Sequence, residues 1–281
     1  MTGATAPFCV LVLTVNRIGL DAAAEIARLP GVSRVAALTG PMALRKRPPL
    51  RKALRMWRYG GASAVLRGAA ARGLRALRGE PPAARLAEYA AQRCPGVEYE
   101  HVADFHSAST LERVRALAPD LGVVVATPRL LPSLFRLPRL GSINLHFGHA
   151  PEYRGSAPAF WELYEGTPEV GLTVHWVNER LDQGDIILQE RLPLDLMPPG
   201  DPMRYLTRYW REQLAPAGIR LLVTAVERLT QGPVPARAQD PARGRFFLRP
   251  TGRDKRELRR RVRARRVGAR RAGRSTLTPS G

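Results

Sequence analysis

Residues 8–38, FCVLVLTVNRIGLDAAAEIARLPGVSRVAAL, decide the fold class. FCVLVLTV at 8–15 is a continuous apolar run of strand length, the pattern of a strand covered on both faces. GLDAAAEIARL at 19–29 sets Leu20, Ala23, Ile26 and Leu29 on one face at helical spacing. SRVAAL at 33–38 reads as a second short strand. Strand, helix and strand in that order predict parallel strands joined by a crossover helix.

The same alternation continues downstream. Residues 84–94 read as a helix and 98–103 as a strand. SASTLERVRAL at 107–117 reads as a helix with Ser109 as its cap and Glu112 three residues on. LGVVVA at 121–126 has the unbroken apolar character of a central parallel strand. Residues 141–145 and 171–177 are further strands, IILQERLPL at 186–194 is an edge strand, and one long helix spans about 203–230. The predicted fold is α/β: an open, mainly parallel Rossmann-like sheet with helices on both faces. It occupies residues 1–240. A basic, glycine-punctuated insertion of one or two helices at about 41–82 interrupts it. Residues 241–281 form a C-terminal extension with a basic, disordered tail that frays.

Composition narrows the function classes. Hydrophobic residues make up 44% of the 281 residues, enough for a sizeable core. Cys9 and Cys94 have neither disulfide nor zinc spacing, and five histidines form no metal tract, so no metal site is expected. The apolar stretch near the N-terminus lacks a basic leader and a cleavage site, and no run approaches the roughly 20 apolar residues of a membrane span. A cytoplasmic protein is expected. The net charge of +21 suggests a nucleic-acid binder until its distribution is examined. Residues 45–79 and 251–281 carry the whole excess, and the remaining chain holds equal numbers of bases and acids.

Two polar clusters carry chemistry. NLHFGHAPEYRGSAP at 144–158 follows a predicted strand directly, where ligands bind in open parallel sheets. Asn144 and His146 are two apart, so an extended backbone turns both the same way. VNERLDQGDII at 177–187 places Asp182 just before Gly184, which would let the backbone turn close to a ligand. An amide, an imidazole and a carboxylate suit acyl transfer to an amine without a covalent intermediate. Asn144 and a protonated His146 would stabilise the oxyanion, and Asp182 would orient His146 and collect the amine proton. Read from the residues alone, a structural role fits as well: Asn144 as a turn former, His146 as a buried hydrogen-bonded group, Asp182 as a loop cap.

The segment from Pro128 to Gln189 resembles the catalytic domain of the folate-dependent formyltransferases, which include glycinamide ribonucleotide, methionyl-tRNA and amino-sugar enzymes. The resemblance rests on Asn-x-His at 144–146, Pro-x-x-Arg-Gly at 151–155 and Leu-Asp-x-Gly at 181–184. It is close over about 120–195 and loose over 8–40 and 95–120. It implies the formyltransferase fold, catalysis by Asn144, His146 and Asp182, and 10-formyltetrahydrofolate as co-substrate. It places the folate between Arg129, Leu130 and Leu131 on one side and Asn178, Glu179, Arg180, Leu181 and Asp182 on the other. It places the acceptor against Tyr153, Arg154 and Gly155. His175 matches a common histidine of the strand before the Asp182 loop and reads as structural.

The chain departs from the family pattern in two places. Gly148-His149-Ala150-Pro151 stands where Ser-Leu-Leu-Pro is usual, which makes His149 a candidate acceptor contact. Thr14-Val15-Asn16-Arg17 lacks the glycine-rich phosphate cradle of the glycinamide ribonucleotide enzymes. Few residues follow 240, where methionyl-tRNA enzymes carry a β-barrel, so a small-molecule amine acceptor is expected: an amino sugar, an amino acid derivative or a natural-product intermediate, with or without a phosphate. The alternatives are a non-catalytic ligand-binding protein on the same scaffold, or a binder of nucleic acid or membrane surfaces through the basic segments. Of these, 45–79 could lie on an anionic membrane or grip a phosphate, or pack as a solvated insertion. Nucleic acid would be bound without sequence specificity.

Overall fold

The computed structural model describes residues 7–41 and 82–275. All but the two end residues of the expected insertion lie outside the described residues, as does the proposed membrane or phosphate contact over 45–79. Among the described residues, the chain order begins β1 (Cys9–Thr14), α1 (Arg17–Ile26), β2 (Arg34–Thr39), α2 (Pro82–Arg93), β3 (Val97–His101), α3 (Ala108–Leu117) and β4 (Leu121–Val125). It continues α4 (Pro132–Phe135), β5 (Ser142–His146), β6 (Arg154–Gly155), α5 (Phe160–Glu165), β7 (Glu169–Trp176) and β8 (Ile186–Pro193). It closes with α6 (Pro202–Tyr209), α7 (Ala215–Gln231), β9 (Phe246–Phe247) and α8 (Gly252–Ser275).

Seven strands form one sheet in the order β3-β2-β1-β4-β5-β7-β8. The β1–β2, β2–β3, β1–β4 and β4–β5 pairs are parallel, and β5–β7 and β7–β8 are antiparallel. β8 is an edge, as its mixed polarity predicts. β1 alternates between two cores: Val10 and Val12 pack with Leu20 and Ile26 of α1 and Leu222 of α7, whereas Leu11 and Leu13 pack with Val114 of α3 and Leu134 of α4. Helices therefore cover both faces, and this is why β1 is apolar on both faces from Cys9 to Leu13. Each such leucine, fully removed from water, contributes about 1.5–3 kcal/mol. Among the described residues, no helix is long and apolar enough to cross a membrane.

Asn16 shows what the sequence after β1 does. Its side chain accepts from the Ile18 and Gly19 amides and caps α1, in the place where a phosphate cradle would stand.

Three local expectations are corrected. α3 is capped by Ser107, whose Oγ accepts from the Thr110 amide at 3.2 Å, because the helix begins one residue before Ser109. The long helix expected over 203–230 is α6 and α7 separated by a π turn at Trp210–Leu214, where the Ala215 amide donates to Trp210 O. Pro216 supplies the reason: it has no amide to offer the carbonyl four residues back.

The third correction concerns the basic tail, which folds as α8 over Gly252–Ser275. Thr251 and Asp254 bond reciprocally at its start, Thr251 N to Asp254 Oδ2 at 2.7 Å and Asp254 N to Thr251 Oγ1 at 3.3 Å. Leu258 and Val262, one helical turn apart, are buried. Arg261 and Arg265 donate to the carbonyls of Leu163 and Tyr164 at the end of α5, which satisfies oxygens the helix cannot pair itself. The charge density predicts fraying, but one apolar stripe and these donors anchor the helix.

Candidate active site

β5 runs between β4 and the antiparallel β7, and its last residues emerge at the carboxyl end of the parallel strands. Asn144 and His146 point together into a cavity of about 710 Å³ there. The size is in the range of small-molecule sites. Two loops form one wall, 126–130 after β4 and 177–182 after β7, and Trp210 of the π turn reaches the same space.

Asp182 sits at the end of the second loop with φ of 53°. Its Oδ2 accepts from the Gly155 amide at 3.1 Å and lies 3.7 Å from His146 Nδ1. Its Oδ1 lies 3.9 Å from His175 Nε2. Asp182, His146 and His175 are all buried.

The hydrogen-bond acceptors fix the imidazole tautomers. His146 Nε2 faces the Tyr153 carbonyl at 2.7 Å, so it carries the proton and donates. His146 Nδ1 is then the nitrogen that faces the Asp182 carboxylate. His175 Nδ1 faces the Trp176 carbonyl at 2.8 Å and donates to it. Its Nε2 therefore accepts, and Asn144 Nδ2 donates to it at 3.1 Å. Burial holds the His175 imidazole below its ordinary pKa, so it acts as a neutral acceptor. One Asn144 N–H is thereby anchored, which leaves the second for a ligand in the cavity.

The expected folate residues assemble with one exception. Arg129, Leu130 and 178–182 line the cavity, and Arg129 Nη2 donates to Glu179 O at 2.8 Å, tying the two loops together. Arg136 pairs with the Glu179 carboxylate. Leu131 is turned away at the start of α4 and stays exposed.

The expected acceptor residues divide differently. Gly155 lines the cavity. Tyr153 instead bonds Glu165 and Thr167, and burial pushes its phenol pKa to about 12. Arg154 is buried beside a void of about 10 Å³ behind the cavity, near the size of one water, with its Nε and Nη1 unpartnered. His149 pairs with Glu152 at 3.0 Å and does not line the cavity. Gly184 also differs from expectation: its close approach is to the Trp176 carbonyl rather than to the cavity.

Gly148 explains the family departure structurally. A Cβ there would stand 2.3 Å from Tyr153 O and 2.5 Å from His146 Nε2, the two partners of the hydrogen bond that orients the His146 ring.

The sequence reading missed the opposite wall, which consists of Phe246–Pro250 and Lys255. RFFLRP at 245–250 reads as loop, and its one signal is a pair of phenylalanines in an otherwise charged stretch.

Comparison with known proteins decides the family. Residues 62–208, more than half of the chain, match the formyl transferase family. This chain belongs to that family. The formyl transferase match includes Asn144, His146 and Asp182. The chain is 37% identical over 148 residues to the methionyl-tRNA formyltransferase of Moorella thermoacetica, covering 52% of this chain and 45% of that one. It is 36% identical over 137 residues to the methionyl-tRNA formyltransferase of a Synechococcus species, covering 48% and 40%. The chain thus spans less than half the length of these curated relatives. In structure it is similar to a sugar N-formyltransferase from a Shewanella species, with a TM-score of 0.55, 15% identity, and coverage of 90% of this chain and 87% of that one. A 4-N formyltransferase from Francisella tularensis gives a TM-score of 0.52 at 16% identity, covering 85% and 76%. At that identity the two structures share the fold.

Proposed function

We propose that this protein is an N-formyltransferase that moves a formyl group from 10-formyltetrahydrofolate to an amine. One observation carries the reading: Asn144, His146 and Asp182 converge on one cavity, with the two tied loops forming a slot beside them. The slot suits a flat pterin. In the reaction, the acceptor nitrogen bonds the formyl carbon and the bond from that carbon to the donor nitrogen breaks. The electron pair stays on the donor nitrogen, and the proton lost by the amine is delivered there.

The tautomers give each residue a task. The second Asn144 N–H, held by His175, donates to the oxyanion of the tetrahedral intermediate. His146 Nδ1 takes the amine proton, and Asp182 faces the imidazolium that forms. This differs from the expectation of a protonated His146 on the oxyanion, since its Nε2 proton is committed to Tyr153 O.

The acceptor is read as a small-molecule amine, because the whole cavity, about 710 Å³, is of small-molecule size. The sequence relatives favour a second reading, an amine carried on an aminoacyl-tRNA. Calorimetry with a hydrolysis-resistant 10-formylfolate analogue tests the donor site, and formyl transfer to a panel of amino sugars and to methionyl-tRNA tests the acceptor. Saturable analogue binding and transfer to one panel member are expected. A folded protein that binds no analogue would overturn the reading.

A further inference from the structure

The wall facing the folate slot comes from a short arm near the C-terminus. Its strand β9 pairs in parallel with β6, setting Phe246 beside Arg154 and Phe247 beside Gly155. Gly155 has φ of 101°, and a Cβ on it would stand 2.3 Å from Phe247 O and 3.1 Å from Phe246 Cε2. The Phe246 ring therefore lies over Gly155, whose amide holds the Asp182 carboxylate at 3.1 Å.

The arm's residues fall into two groups. Phe247 stacks on Tyr153 with ring centres 5.3 Å apart, Arg245 grips Glu165 at 2.6 Å, and Trp161 donates to Leu248 O at 3.0 Å. These contacts hold the arm down. Phe246 and Leu248, in contrast, are 53% and 60% exposed while lining the cavity. Large apolar side chains left in water beside a reaction centre mark a ligand contact. Arg249, also exposed, and Lys255 line the same wall, and it contains no acid.

We propose that Phe246, Leu248 and Arg249 form the acceptor subsite, and that the acceptor is an anionic amine with an apolar or aromatic ring. This inference rests on the formyltransferase reading above. The ring packs on Phe246 and Leu248, and the anion, a phosphate or a carboxylate, is drawn to Arg249. The amine is then delivered to the side of the cavity where Asp182 and His146 meet.

Phenyl phosphate and phenylacetate serve as probes by saturation-transfer NMR, with the donor side filled by 5-formyltetrahydrofolate. At least one probe is expected to bind, and the preferred one identifies the anion. Phe246→Ala and Arg249→Gln should each weaken it by about fivefold to tenfold, with 5-formyltetrahydrofolate binding unchanged. Failure of both probes, or affinity in both variants unchanged from the unaltered protein, overturns the subsite while folate binding remains intact. Loss of folate binding in the unaltered protein would instead strike the formyltransferase reading itself.

Discussion

Asn144 and His175 lie opposite each other across the antiparallel β5–β7 pair, and the Asn144 amide donates to His175 Nε2 at 3.1 Å. The imidazole thus decides which way the amide faces. His175→Leu removes the acceptor and lets the amide rotate. Turnover should fall about tenfold with little change in KM for the donor, the size of one lost hydrogen bond. His175→Gln, which keeps an acceptor oxygen, should recover much of the loss. Equal damage from both variants would mean that packing, not orientation, is what His175 provides.

Asp182→Asn is the cleanest test of the carboxylate. Asparagine tolerates the positive φ of this position and can still accept from the Gly155 amide, so the fold and analogue binding should be retained. Only the countercharge to His146 is lost. Turnover is expected to drop by about 10²–10⁴. Near-normal turnover would remove Asp182 from the chemistry.

Gly148→Ser installs the residue usual in the family at a point where a Cβ would meet both Tyr153 O and His146 Nε2. Because one of these atoms is backbone, relief requires moving the 148–153 loop. Urea unfolding should show a loss of about 1–3 kcal/mol, and turnover should fall with it. A variant as stable and active as the parent would show that the loop is not held as described.

Glu162 on α5 supplies a pH signature. Burial raises its carboxyl pKa to about 7 from an ordinary 4.5. The folded state therefore keeps a proton that the unfolded chain has already released, and stability falls as pH rises between those values. The penalty is complete above the folded pKa, at about 3 kcal/mol for a shift of this size. Glu162→Gln should be more stable than the parent at pH 8 and nearly equal to it at pH 4, read as Tm against pH. Parallel curves for the two proteins would contradict this account.

Leu258→Ala tests whether α8 is part of the fold. Leu258 is fully buried, so truncation should cost about 2–5 kcal/mol in chemical denaturation. A frayed helix would register no change.

The sheet was legible because its strands are covered on both faces and its crossover helices carry clear apolar faces. Leu11 and Val12 feed different cores, so the whole run had to be apolar. Asn144 and His146 were legible because strand periodicity alone turns residues two apart the same way. His175 was noticed but read as structural, since its task depends on a partner 31 positions away. The arm at 245–250 was not legible. A two-residue strand has no period to detect, and its pairing joins Arg154 to Phe246 with α5, β7, β8, α6 and α7 between them in the chain. In α8, twelve bases hid an apolar stripe that needs only Leu258 and Val262.

The pairing of β9 with β6 also bears on how such a protein can change. One wall of the cavity is made by loops after β4 and β7, whereas the facing wall hangs on a separate ribbon of a few residues held by Phe247, Arg245 and Trp161. Exchanging Phe246, Leu248 and Arg249 leaves both the loop wall and the ribbon's moorings intact. With the acceptor subsite proposed above, such a design lets substrate preference drift in evolution, or be redirected by engineering, while Asn144, His146 and Asp182 stay in place.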